Sequence, residues 1–194
     1  MTQRCSWCGD DPLYVAYHDE EWGVPVRDDA KHFEFLVLES AQAGLSWAIV
    51  LRKREGYRRA FANFDAERVA RFNSRSVERL VNDSGIIRNR LKIVAAINNA
   101  RGFLEIQKEF GSFDNYVWGF VGGRPIQNRW KTQADVPATS AQSDSLSKDL
   151  KHRGFSFVGS TIIYAHMQAT GLINDHLIDC YRYEACARLA EPGR

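Results

Sequence analysis

The sequence predicts an all-α fold, and three observations carry that expectation. Apolar residues recur at helical spacing, most clearly Ile93, Ile97, Ala100 and Leu104 at intervals of four, three and four. Cap residues and glycines stand where helices would begin and end. No extended run alternates apolar and polar residues with β-branched enrichment, so strands have no support. In chain order, Asp28-Asp29 can cap a helix through Phe33, Leu36, Val37 and Glu39 towards a stop at Gly44. Ser46 can cap the next, which carries Trp47, Ile49, Val50 and Leu51 and the basic Arg52-Lys53-Arg54. The periodic segment marks a long amphipathic helix between about residues 88 and 110. Phe113 to Val121 and Ser145 to His152 read as shorter helices, Thr161 to Gly171 as a buried one, and the Gly- and Pro-punctuated stretch from Val121 to Pro137 as a loop.

With 194 residues, 44% hydrophobic and 26% charged, the chain has a globular composition that excludes disorder and collagen-like structure. Its length allows one unit, of two helical lobes, to bury a core without disulfide staples. The N-terminus lacks the basic, apolar and small-residue order of a signal peptide, so a cytoplasmic setting is expected. The longest stretch without Asp, Glu, Lys or Arg, Gly154 to Asn174, contains Ser156, Ser160, Thr161, His166, Gln168 and Thr170, too polar a set to span a bilayer. Net charge is only +2, but residues 1–41 carry three basic and nine acidic groups, whereas Arg52 to Lys92 carries twelve basic and five acidic. Such asymmetry fits either a polyanion-binding surface or a solvated helical face.

Three constellations bear chemistry. Cys5 and Cys8 lie near one end and Cys180 and Cys186 near the other. His176-x3-Cys180 places two metal ligands one helical turn apart, and Cys5 with either His18 or Cys8 would complete a tetrahedral set best suited to zinc. Residues 80–92 read as helix, Gly85 turn, helix, with Arg88, Arg90 and Lys92 at the new helix start. Backbone N–H groups there bind anions, and a glycine lets a phosphate approach the chain. Finally, Tyr14, Tyr17, Trp22 and Trp47 surround a helix carrying Glu39 in apolar company. A carboxylate so placed is costly unless it is paired or used, and with aromatics it could hold a planar base.

The blocks Arg4-Cys-Ser-Trp7, Asp11-Pro-Leu-Tyr-Val-Ala-Tyr-His-Asp19, Glu21-Trp-Gly-Val-Pro25, Gln42-Ala-Gly-Leu-Ser-Trp47, Ser84-Gly-Ile-Ile-Arg88, Lys151-His-Arg-Gly-Phe155, Phe157-Val-Gly159 and Gly171-Leu-Ile-Asn-Asp-His176 together resemble bacterial 3-methyladenine DNA glycosylase I. The likeness runs from about Arg4 to Cys180 and leaves the tail uninformative. It implies a helix-hairpin-helix DNA glycosylase fold, the motif at about 76–98, with one structural zinc on Cys5, His18, His176 and Cys180 joining the terminal segments. Cys8 and Cys186 are then left over. The resemblance places the base pocket on Glu39, Tyr17, Trp22 and Trp47, with Tyr14 a lesser candidate, and the wedge that fills the gap of a flipped nucleotide on Gly44 and Leu45. Gly85, Arg88 and Lys92 would meet the DNA backbone. The implied reaction releases 3-methyladenine from alkylated double-stranded DNA, with water as nucleophile and an abasic site as product, in a monomer. The family lacks the aspartate used by many hairpin relatives, so neither Asp114 nor Asp135 is nominated. A non-catalytic zinc-stapled DNA-binding module would keep hairpin and charge asymmetry without needing Glu39 among aromatics. A zinc hydrolase would need an open metal position.

Overall fold

The computed structural model describes residues 3–189, and among them eleven α-helices supply nearly all the regular structure. Helix α1 (Pro12–Glu20) opens at Asp11, whose side chain accepts the Leu13 N–H, with proline at the first helical position. Sequence periodicity misses this helix because it has hardly any apolar face. Helix α2 (Asp29–Gln42) starts as expected, Asp28 accepting the Lys31 N–H at 3.1 Å. Its second acidic residue serves elsewhere: Asp29 accepts the N–H groups of Phe113 and Asp114 at the start of another helix.

After Gly44, whose φ of +78° favours glycine, come α3 (Trp47–Arg52) and α4 (Arg54–Ala60). Ser46 occupies the cap position of α3 without the expected side-chain bond. Next are α5 (Ala66–Ala70), α6 (Ser74–Val81) and the long α7 (Arg90–Phe110). The last begins two residues later than periodicity suggests because Asn89 caps it, accepting the Lys92 N–H at 3.1 Å. Helix α8 (Phe113–Gly119) follows Gly111. Helix α9 (Ala141–His152) starts four residues before the expected point, where Ser140 and Ser143 form a reciprocal capping box. Helices α10 (Ser160–Ala169) and α11 (Arg182–Leu189) complete the set.

Two short strands, β1 (Ile126–Gln127) and β2 (Ile173–Asn174), pair in parallel. They pin the segment read from sequence as a loop to the end of α10. One helical expectation fails: His176 to Cys180 is a turn rather than a helix, a spacing of four being as compatible with a folded-back loop. Among the described residues no helix is long and apolar enough to cross a membrane.

Helix α2 is the axis of the molecule. It contacts α3, α7, α8 and α10, and every residue from His32 to Ala41 is buried. A helix buried all round must account for its polar side chains. Glu34 takes Arg54 at 2.8 Å, Arg58 at 2.9 Å and Lys31 at 3.0 Å. His32 meets Asp114 at 3.2 Å, and the Ser40 hydroxyl donates to the Phe157 carbonyl at 3.2 Å. His32 keeps Nδ1 without a partner, but Glu39 is the exception among them in that its side chain forms no hydrogen bond at all, and its Oε2 is buried and unpartnered.

Candidate active site

The exception marks a cavity of about 190 Å³. Glu39 enters it from α2 and Trp47 from the first residue of α3, so the turn over residues 43–46 sets the spacing between them. Tyr14 and Tyr17 come from α1, and Trp22 from the segment behind it. The Tyr17 ring lies 5.2 Å from Trp47, centre to centre. These four aromatics and Glu39 are the predicted base-facing set, and all five line the cavity. Sequence reasoning missed Trp7, which stands edge-on to Trp22 at 4.9 Å and to Tyr14 at 5.2 Å. Its signal was available, since Trp7 is the next aromatic after a suspected ligand, Cys5. It also missed Gln42, Gln133 and Gln168, which tertiary folding alone brings to the rim.

Three buried polar atoms around this cavity lack partners: Glu39 Oε2, Trp47 Nε1 and Trp7 Nε1. The molecule has larger clefts, one of about 530 Å³ beside Arg54 and one of about 640 Å³ beside Arg90, but neither is lined by such an orphan. The small cavity therefore offers one acceptor and two donors between aromatic faces, awaiting a planar ligand with complementary edges. Glu39 is its only carboxyl and is 3% exposed; burial pushes its pKa up to about 8.

Behind Trp22 lies the second constellation. One ligand atom each from Cys5, His18, His176 and Cys180, all buried, falls within 4.8 Å of the others, so this group could hold a metal ion. Cys180 Sγ lies 3.5 Å from both His18 Nε2 and His176 Nδ1, and Cys5 Sγ lies 3.6 Å from His176 Nδ1. The outer ring nitrogens are already used. His18 Nδ1 meets Asp19 at 2.8 Å, itself gripped by Arg4, and His176 Nε2 meets the Trp22 carbonyl at 2.9 Å. Each imidazole thus turns its other nitrogen inward, as ligating histidines do. Hydrogen bonding from Cys5, His176 and His18 drives the Cys180 thiol towards thiolate. The cluster abuts the pocket, since the His176 ring lies edge-on to Trp22 at 4.6 Å.

Asp175, the residue before His176, fastens the remaining wall. Its two oxygens accept from Asn128, Trp130, Tyr164 and Gln168 at 2.6 to 2.8 Å. The punctuated segment and α10 are held together through one buried carboxylate.

The connection from α6 to α7 is docked on α4. A Cβ on Gly56 would lie 2.0 Å from the Gly85 carbonyl oxygen, so only glycine permits this approach. The Ile87 N–H donates to the Tyr57 hydroxyl at 3.2 Å, and Lys53 donates to the Ser84 carbonyl at 2.7 Å. Two of the residues expected at the DNA backbone have partners within the protein. The Gly85 N–H is taken by Asp83 Oδ1 at 2.7 Å, and the Gly85 carbonyl lies against the backbone of α4. Lys92 donates to the carbonyls of Ala41 and Ala43 at 2.8 and 2.6 Å, because its long stem reaches the open end of α2. Arg88 is exposed, and so is the turn at Gly44 and Leu45, which lies in sequence between the pocket residues Gln42 and Trp47.

The charge asymmetry is partly internal. Asp11, Glu21 and Glu34 of the acidic segment pair with Arg52, Arg54 and Arg58 of the basic one. After residue 58, Arg71 pairs with Glu67, Arg90 with Glu78 and Lys92 with main-chain carbonyls, so among the described residues of this run Arg59, Arg68, Arg75, Arg79 and Arg88 form no ion pair.

Comparison with known proteins agrees with this geometry. The family model for methyladenine glycosylase matches residues 7–183. The chain is 51% identical over 181 residues to DNA-3-methyladenine glycosylase 1 of Escherichia coli (strain K12), covering 93% of this chain and 97% of that one. A crystal structure of 3-methyladenine DNA glycosylase I superposes with a TM-score of 0.90 at 51% identity, covering 92% of this chain and 98% of the other. The structure describing 3-methyladenine recognition by the Staphylococcus aureus glycosylase I superposes equally well, at 35% identity over 98% of each chain. The chain belongs to the methyladenine glycosylase family.

Proposed function

We propose that the protein releases 3-methyladenine from alkylated double-stranded DNA as a monofunctional glycosylase, leaving an abasic site. The observation that carries this reading is the orphaned Glu39 Oε2 in a cavity sized for one heterocycle. Adenine presents an N6 amine donor and an N7 acceptor on one edge, which complements a carboxyl and an indole N–H. Methylation at N3 puts positive charge on the ring. Stacking against Trp47 and Tyr17 then contributes about 0.5 to 2 kcal/mol per aromatic face as a cation–π interaction. The charged base leaves as a neutral molecule, so the residues chiefly bind and orient it while water attacks the sugar. Glu39 gains most from that charge, since a cation beside it offsets the desolvation that holds it protonated.

The chain acts as a single unit of two helical lobes. The connection between α6 and α7 serves as a helix-hairpin-helix that grips the backbone, with Arg88 and the Arg90 and Leu91 N–H groups at the start of α7 at the phosphates. The base is flipped, and Leu45, 37% exposed at the tip of its turn, enters the gap behind it. Cys5, His18, His176 and Cys180 hold zinc as a structural ion. Tetrahedral zinc at about 2.3 Å from sulfur and about 2.05 Å from nitrogen sets S···N edges of about 3.6 Å, and the observed separations are 3.5 to 3.6 Å. Four protein ligands leave no position for substrate, so the ion's chemistry is to cross-link the terminal segments.

The test is release of free 3-methyladenine from methylated duplex, with Trp47→Ala as control. Loss of that stacking face weakens base binding by about 1 to 3 kcal/mol. Failure of the wild-type protein to release the base overturns the proposal.

A further inference from the structure

The turn between α2 and α3 has one tertiary anchor that the proposed reaction does not yet use. A helix leaves its last carbonyls without intrahelical partners. At the end of α2, the Gln42 carbonyl accepts the Leu45 N–H at 2.6 Å, closing the turn on itself. The Ala41 and Ala43 carbonyls are met from outside, by the Lys92 ammonium at 2.8 and 2.6 Å. A cation there also complements the negative end of the α2 dipole. Lys92 stands in the first turn of α7, where Asn89 holds its own N–H. It is half-buried, unlike its neighbours Arg88, Arg90 and Leu91. The turn it holds has little else: residues 44–46 are exposed, and Ser46 forms no cap bond. Yet this turn fixes how Trp47, the first residue of α3, faces Glu39 on the last turns of α2.

We propose that Lys92 is a positioning residue for base excision rather than a phosphate contact. Its ammonium ties the α2–α3 turn to the start of α7, so that Glu39 and Trp47 are held in register with the element that grips the DNA backbone. The proposal rests on the glycosylase reading above. It differs from a phosphate-contact role in what salt does: a lysine on a phosphate contributes about 0.9 to the slope of log affinity against log salt, and a lysine on carbonyls contributes nothing.

The experiment compares wild type with Lys92→Met, which keeps the stem and loses the donors, and Lys92→Arg, which keeps donors. Each is assayed for single-turnover release of 3-methyladenine from methylated duplex at saturating enzyme, and for unmodified-duplex affinity across salt. Melting temperature is also measured, and the assays are run well below it. The expected result is a release rate at least tenfold lower in Lys92→Met, an unchanged salt slope, and recovery of most of the rate in Lys92→Arg. Should Lys92→Met not fold, Lys92→Gln, whose uncharged amide donates from a shorter reach, shows the same loss. A slope shallower by about 0.9 with an unchanged saturated rate overturns the proposal in favour of a phosphate contact. A lower melting temperature with a wild-type rate in the folded variant overturns it in favour of a merely structural tie. If the wild-type protein itself releases no base, the glycosylase reading has failed, an outcome separate from either of these.

Discussion

Replacing Glu39 by glutamine should stabilise the ligand-free protein, by an amount that depends on pH. Burial raises this carboxyl from its ordinary 4.5 to about 8. Between those values the folded chain holds a proton that the unfolded chain has released, so stability falls as pH rises across the window and is level on either side. At 1.36 kcal/mol for each pKa unit, full ionisation inside the pocket costs about 5 kcal/mol. Water admitted to the cavity reduces that cost, and one pKa unit, about 1.4 kcal/mol, sets the smallest gain that the reasoning accepts. Glutamine keeps the shape and a carbonyl acceptor but cannot ionise. The difference in unfolding free energy between Glu39→Gln and wild type should therefore grow from pH 5 to pH 8.5 and then stop. Urea unfolding at a series of pH values measures it, and the Cys/His cluster, present in both proteins, cancels. A difference that stays constant with pH refutes the argument, because it would mean that the carboxyl is not desolvated. The same variant should bind free 3-methyladenine more weakly and excise it more slowly, while unmodified duplex binds as before. A residue that stabilises the fold when removed and weakens binding when removed is placed there for the ligand.

Other expectations are narrower. Purified without chelator, the protein should contain one zinc per chain, and Cys180→Ser should lower both zinc content and melting temperature; full stability without zinc would contradict the cross-link. Arg88→Gln should weaken binding to all duplexes alike and make the salt slope shallower by about 0.9, and a lesion-specific loss with unchanged slope would remove Arg88 from the backbone grip. Gly56→Ala forces Gly85 away from α4, so it should cost about 1 to 3 kcal/mol of stability in chemical unfolding, and a neutral result would show that the α4 contact is loose.

Much of this molecule is legible in its sequence where local physics decides. Asp28 and Gly44 bracket α2, and Ile93, Ile97 and Ala100 of α7 face the core while Leu104 is half-buried on a surface cleft, because caps and amphipathic spacing act over a few residues. The Cys/His cluster is legible as residue types at the two ends, although only the resemblance chose His18 over Cys8. Residues whose roles depend on distant partners were not legible. Helix α1 lies between the small pocket and the cleft beside Arg54, so no single apolar stripe announces it. Trp7 and Gln168 acquire their roles only when the ends meet. Lys92 sits in a basic run that reads as a DNA-facing surface, yet its four-carbon stem carries the charge to the end of another helix. Charge counting cannot separate these uses, since Arg54 and Arg58 in the same run neutralise Glu34 inside the fold.

The four bonds on Asp175 bear on timing as well as on shape. Asn128 and Trp130 on one side and Tyr164 and Gln168 on the other are joined by charge-assisted bonds in a buried place, where breaking any one leaves a costly unpaired group. A wall clamped in that way is a poor candidate for a lid that swings open at each encounter. On the proposed reading the motion needed for recognition falls to the nucleotide, and the pace of damage search would follow how readily a weakened base pair opens in front of an already formed receptacle. A base that pairs and stacks well would then keep out of the pocket by staying in the helix, before the protein has made any choice.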